Sequence, residues 1–256
     1  MKSYKKNLIA ALIYACFLAL TGCQMGAKDP YAPVIATPQR IFCETLGHSV
    51  QNRPIKLITL GYGPDTVLII ATIHGNEDAG TPLVYRLINH LKALPKLLDG
   101  RTVMIVPLAN PDGRALRTRH NATGVDLNRN FPAANRVNNA VNGIGGLTEP
   151  ESTILHDLIL TRPPARIVTI HQPLYCLDYD GPGEKLAQVM AQYCTLPVKK
   201  LGSRPGSLGS FAGVEQSIPI ITMELAKEDS GLTDGQLWTR YGHALLAAIT
   251  YPAHPY

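Results

Sequence analysis

Apolar positions along the chain fall into two periods. Four continuous runs, TVLIIAT at 66–72, TVMIVPL at 102–108, RIVTIH at 166–171 and IPIITMEL at 218–225, are short and β-branched, as strands covered on both faces are. Helical spacing fills the intervals. Leu83, Val84, Leu87, Ile88 and Leu91 mark one face of a helix over 81–93, and comparable patterns span 149–161, 183–193 and 234–250. Strands alternating with helices predict the α/β class: a single-domain α/β/α sandwich around a mixed, mostly parallel, twisted sheet. The weaker segments 41–46 and 56–60 are expected to add an antiparallel edge. Thr148 and Glu151 read as the N-cap and N3 residues of a capping box at the start of the second helix. Between 110 and 146 the periodicity stops and Asn, Gly and Arg dominate; a polar stretch this long inside a compact domain is usually functional.

The first residues lie outside that pattern. Lys2, Lys5 and Lys6 precede an apolar stretch over 8–20 and then Leu20-Thr21-Gly22-Cys23, which resembles a bacterial lipobox. The stretch is short for a spanning helix, which needs about 20 apolar residues. Residues 1–22 are therefore expected to be a lipoprotein signal peptide, Cys23 the lipidated first residue of the mature chain, and residues 23–37, rich in Pro and small side chains, a flexible tether to a folded domain over 38–256. Gln24 after the cysteine favours the periplasmic face of the outer membrane, with the lipid as the chain's one contact with membrane. Loss of the leader removes three lysines and no acids, which takes the net charge from +5 to +2. With no basic stripe remaining, nucleic acid is not an expected partner. Beyond Cys16 and Cys23, Cys43, Cys176 and Cys194 remain; Cys176 and Cys194 are either a disulfide pair or buried reduced thiols.

Chemistry concentrates at the ends of the apolar runs. His74 and Glu77 follow the first, His171 closes the third and Glu224 lies near the end of the fourth. Carboxyl ends of parallel strands are where ligands collect in open α/β sheets. Two His and one carboxylate leave one tetrahedral position open, as catalytic rather than structural zinc sites do. Glu224, costly to bury without a role, is then the candidate general base and acid.

His74-Gly75-Asn76-Glu77, Asn110-Pro111-Asp112-Gly113, Gly124-Val125-Asp126-Leu127-Asn128-Arg129-Asn130-Phe131-Pro132 and Glu149-Pro150-Glu151, followed by His171 and Glu224, together resemble the zinc carboxypeptidases of the carboxypeptidase A type. The resemblance implies one Zn2+ per chain held by His74, Glu77 and His171, Glu224 as base and acid, and Asn128 with Arg129 gripping the carboxylate next to the scissile bond. It also implies an arginine for the oxyanion, Arg119 ahead of Arg117, with Arg114 left as a loop charge. The segments 176–183 and 202–211 resemble the murein peptide amidase A branch, which cuts the γ-D-glutamyl to meso-diaminopimelate bond of murein peptides. On that resemblance Asp178 or Asp180 receives the ammonium of diaminopimelate and Arg204 its far carboxylate; the alternative is that Asp178 and Asp180 only make loop turns with Gly181-Pro182. Two alternatives stand beside it: a D,L- or L,D-type carboxypeptidase trimming peptidoglycan stems, and a non-catalytic murein-binding envelope lipoprotein. One departure from digestive carboxypeptidases is the lack of a tyrosine in the segment before Glu224.

Overall fold

The computed structural model describes residues 41–253. The leader over 1–22, Cys23 and the tether over 23–37 lie outside them. Seven strands form one mixed sheet: β1 (Ile41–His48), β2 (Pro54–Gly61), β3 (Asp65–Ala71), β4 (Arg101–Val106), β5 (Arg166–His171), β6 (Leu174–Asp180) and β7 (Ile220–Ala226), in the order β1-β2-β4-β3-β5-β7-β6. The four central strands β4, β3, β5 and β7 are parallel, and β1, β2 and β6 pair antiparallel at the two sides. The α/β sandwich expected from the periodicity is the observed architecture.

Alternation along the central strands builds two cores, because successive side chains point to opposite faces. Val67, Ile69 and Ala71 of β3, with Val168 and Ile170 of β5, join the helices α1 (Gly80–Ala93), α4 (Glu184–Ala191), α5 (Asp234–Leu237) and α6 (His243–Thr250). Leu68, Ile70 and Ile167 face the other way, onto α3 (Pro150–Thr161) and the segments carrying Leu127, Phe131 and Phe211. Apolar contact on both faces is why these runs show no polar alternation.

Three local readings are corrected. Helix α3 starts at Pro150 with Glu149 in the cap position and no side-chain cap; Thr148 Oγ1 bonds Asn130 and Glu149 instead. Proline at the first helical position fixes the start and drives Glu149 into extended backbone. Cys176 and Cys194 are free thiols, so the disulfide alternative falls. The Cys194 Sγ lies 3.7 Å from the Met190 carbonyl, and burial with the nearby Glu224 and Asp178 charges pushes the Cys176 thiol up to about 11. Finally, the segment 176–180 is strand β6, and a short helix α2 (Pro111–Leu116) interrupts the polar stretch after 110.

Candidate active site

Strands β3, β5 and β7 are neighbours, so their carboxyl ends meet at one edge. The chain leaves β3 for β4 on one side and returns to β5 on the other, and such a switch point opens a crevice at the strand ends. His74 and Glu77 follow β3, His171 ends β5, and Glu224 sits beside His171 in the β5–β7 register. The turn carrying the first pair is held under strain. Thr72, a β-branched residue, adopts φ 55°, and its carbonyl accepts from the Asn110 N–H while Asn110 Nδ2 donates to the Ile73 carbonyl. Gly75 is required here, since a Cβ would come within 2.0 Å of the Gly113 backbone.

The three candidate ligands converge. His74 Nδ1 lies 2.8 Å from Glu77 Oε1, His171 Nδ1 lies 2.7 Å from Glu77 Oε2, and the two Nδ1 atoms are 3.1 Å apart, all buried. His74 Nε2 is bonded to Asp126 Oδ1 at 3.0 Å. In the neutral ring that bond takes the proton on Nε2 and leaves the Nδ1 lone pair aimed at the common point. Two imidazole nitrogens and a carboxylate meeting at one buried point fit zinc by donor type and number, with room for a fourth ligand. The Gln172 backbone N–H donates to Glu77 Oε2 at 3.2 Å and steadies the carboxylate from behind.

Charges around the triad are tightly coupled. Burial opposes ionisation of Glu77, but His171 and His74 outweigh it and hold the carboxyl well below its ordinary range. Asp126 is likewise lowered despite burial, by His74, Arg119 and Arg129. Burial would lower His74, yet its bonds to Asp126 and Glu77 raise it. Arg119 Nη1 reaches Glu77 Oε1 and its Nε reaches Asp126 Oδ2, both at 3.0 Å. Arg119, the first choice from the sequence for the oxyanion, thus stands beside the candidate ligand Glu77. Arg117 instead caps α2 with φ 53° and does not line the cavity, and Arg114 pairs with Asp78 at 3.1 Å.

One cavity of about 260 Å³ is lined by His74, Glu77, His171, Glu224, Arg119, Asn128, Arg129, Asp178, Asp180 and Arg204, so of the residues singled out in the sequence for this chemistry only the second-choice Arg117 does not reach it. Glu224 is buried, and its Oε2 accepts from the Leu174 N–H at 3.2 Å. Asn128 Oδ1 accepts from the Leu208 N–H at 2.9 Å, which leaves its amide nitrogen for a ligand. Burial lowers Arg129, with Arg119 and Arg204 adding to that and Asp126 opposing it. Among the described residues neither Arg129 nor Arg204 has an ion-pair partner, so their charges are available to an anion. Asp126 was not given a role from the sequence, although it stands inside GVDLNRNFP. An acid two residues before Asn128, inside the clamp segment, was its signal.

The model of the zinc carboxypeptidase family matches residues 33–173, more than half of the chain. Murein peptide amidase A of Escherichia coli (strain K12) is 38% identical over 176 residues, covering 61% of this chain and 69% of that protein. The Vibrio campbellii protein of the same name is 32% identical over 184 residues, or 65% and 71% of the two chains. The crystal structure of murein-tripeptide amidase from Escherichia coli O157 superposes with TM-score 0.63 at 28% identity, over 84% of this chain and 93% of that one. Carboxypeptidase A from Helicoverpa armigera, with TM-score 0.69 at 20% identity over 83% and 69%, shares the fold. Family match, fold and converging donor set agree: the chain belongs to the zinc carboxypeptidase family and is a hydrolase of the metallopeptidase type.

Proposed function

We propose that this chain is a zinc-dependent murein peptide amidase that hydrolyses the γ-D-glutamyl to meso-diaminopimelate amide. One observation carries the reading: the cavity that holds the ligand triad and Glu224 has an acidic floor beside a cationic wall. Asp178 and Asp180 are both buried in it, and no basic side chain among the described residues is bonded to either. Asp178 Oδ1 accepts the Tyr179 and Leu201 N–H groups; burial, the Asp180 charge and Glu224 raise its pKa. Asp180 accepts from Ser203 Oγ at 2.5 Å, and Gly209 leaves room for it, since a Cβ there would lie 2.0 Å from Asp180 Oδ2. Buried carboxylates without a cation favour a ligand that brings one. Diaminopimelate offers an ammonium for Asp178 and a far carboxylate for Arg204, while Asn128 and Arg129 take the carboxylate next to the scissile nitrogen, Arg as a planar fork. The similarity to murein peptide amidases of two organisms supports the same substrate class.

Bound by His74, Glu77 and His171, zinc would polarise the scissile carbonyl and bring the pKa of water towards 7. Glu224 takes a proton from the attacking water and returns it to the leaving amine of diaminopimelate, so amide and water become carboxylate and amine. Arg119, held between Glu77 and Asp126, donates to the developing oxyanion. We further propose that the leader delivers this enzyme to the bacterial envelope, where Cys23 carries the lipid; loss of membrane association in Cys23→Ala tests that. For the reaction, zinc-loaded protein is incubated with L-Ala-γ-D-Glu-meso-diaminopimelate and the products are weighed by mass spectrometry. Free diaminopimelate is expected. An intact tripeptide after long incubation rejects the amidase reading.

A further inference from the structure

A second cavity of about 450 Å³ adjoins the first, sharing Pro173 with it, and is lined by Tyr175, Thr195, Ala226, Lys227, Glu228, Arg240 and Tyr241. Its size is within the range of about 300–1,000 Å³ typical of small-molecule sites. The cavity is built from the segments that continue past the catalytic strand ends. Ala226 closes β7 two residues after Glu224 and pairs with Leu174, whose N–H holds the Glu224 carboxylate.

Its cations are not equivalent. Arg240 is committed to Asp229, which is completely buried and also accepts from the Tyr241 hydroxyl and the Ala226 N–H. Lys227 is exposed, and among the described residues its ammonium has no ion pair or hydrogen bond. Strand rise puts Lys227 about 10 Å along the backbone from Glu224, and its flexible four-carbon stem can cover part of that span. Tyr175 lines the same cavity, an aromatic residue held at φ 50° with its hydroxyl on Thr195 Oγ1 at 2.8 Å. A bulky side chain in the left-handed region is uncommon, and such strain gathers at ligand-contacting positions.

We propose that this second cavity binds the acyl half of the substrate and that the Lys227 ammonium receives its free α-carboxylate. The proposal rests on the amidase reading. In a γ-linked glutamyl amide the α-carboxylate is not consumed in the peptide bond; it hangs a few bonds from the carbonyl under attack, on the side away from the leaving amine. An ordinary α-linked acyl residue has no such group, so a cation there selects the γ-linkage.

The test compares the free-acid tripeptide L-Ala-γ-D-Glu-meso-diaminopimelate with its α-carboxamide analogue, as substrates of zinc-loaded wild type, Lys227→Ala and Lys227→Arg. Wild type should favour the acid about tenfold in kcat/KM, mostly through KM, in keeping with one partly solvated charged hydrogen bond. Lys227→Ala should lose that preference while cleaving the amide as wild type does, and Lys227→Arg should restore part of it. Release of diaminopimelate from both substrates at equal efficiency by wild type, or an undiminished preference in Lys227→Ala, overturns the subsite and leaves the amidase reading intact. Release of diaminopimelate from neither substrate by wild type overturns both.

Discussion

Asp126→Asn separates the organising role of this side chain from its charge. The carboxylate accepts three bonds at 3.0 Å: from His74 Nε2, from Arg119 Nε and from the Asn128 N–H. One group thus orients a metal ligand, an oxyanion donor and the first residue of the clamp. An amide keeps one oxygen and replaces the other with a donor. The Arg119 cation competes for the remaining oxygen, which leaves the amide nitrogen facing His74. The imidazole must then present an acceptor at Nε2, carrying its proton on Nδ1, where it blocks metal binding. Loss of such an outer partner costs about 10–100-fold in metal affinity, and one charge-assisted hydrogen bond is worth about 1.5–3 kcal/mol. Chelator competition should therefore show zinc affinity reduced by about 10–100-fold, with kcat at saturating zinc also depressed because Arg119 and Asn128 lose their anchor. Calorimetry of the metal-free protein reports the stability loss separately. Zinc affinity within about threefold of wild type, with unchanged kcat, would refute the coupling.

Four further outcomes follow from the same geometry. Glu224→Gln should abolish turnover by more than about 10³-fold while zinc still binds, since an amide cannot carry the proton; retention of a tenth of the activity would remove Glu224 from its role. Arg119→Ala should cost about 10²–10³ in kcat but, as a partly exposed ion pair, little stability; thermal melts and steady-state kinetics distinguish the two effects. Asp178→Asn should lower kcat/KM for diaminopimelate substrates, mostly through KM, because the incoming ammonium loses its carboxylate partner; steady-state kinetics on the tripeptide reads this. Stability of the metal-free protein should depend on pH in two directions. The lowered Glu77 and Asp126 stabilise above their unfolded values near 4 and lose that contribution as pH falls, whereas the raised His74 stabilises below about 6.5 and loses it as pH rises through its folded value. Urea midpoints rising steadily from pH 6 to 9 in the metal-free protein would contradict this.

The legible parts of the chain are those where one physical demand acts alone. β3, β4, β5 and β7 read directly because both faces are apolar. β6 did not, because its LYCLDYD pattern serves two demands: Cys176 and Leu177 pack inside while Asp178 and Asp180 line the cavity. Helix α2 was hidden by its length of six residues and by Asn110, whose side chain caps it and also pins the strained turn before His74. The misplaced cap at Thr148 has the same origin. Glu149 and Glu151, which look like cap residues, are taken by Asn121, with Thr123 on Glu149 and the Val50 N–H on Glu151, and so brace the loop that carries Arg119 and Asp126.

The same reasoning bears on which peptide bond the site is set against. Asn128 and Arg129 would hold a carboxylate beside the scissile nitrogen equally well at a chain end or on diaminopimelate, so the clamp alone cannot distinguish an amidase from a stem-trimming carboxypeptidase. The floor can. A carboxypeptidase releasing a small apolar residue such as D-alanine would leave the buried Asp178 and Asp180 facing a methyl group, two carboxylates without a cationic partner, and the exposed Arg204 without an anion. Unpaired buried charge is strongly unfavourable. A leaving group with its own ammonium and carboxylate meets both signs at once, and a site built to bond polar groups rejects analogues lacking them by about 10⁴–10⁵. A stem peptide ending in D-alanine should therefore be cut far more slowly than the diaminopimelate tripeptide, and Asp178→Asn should narrow the gap. Equal rates on the two substrates would show that the charged floor takes no part in selection.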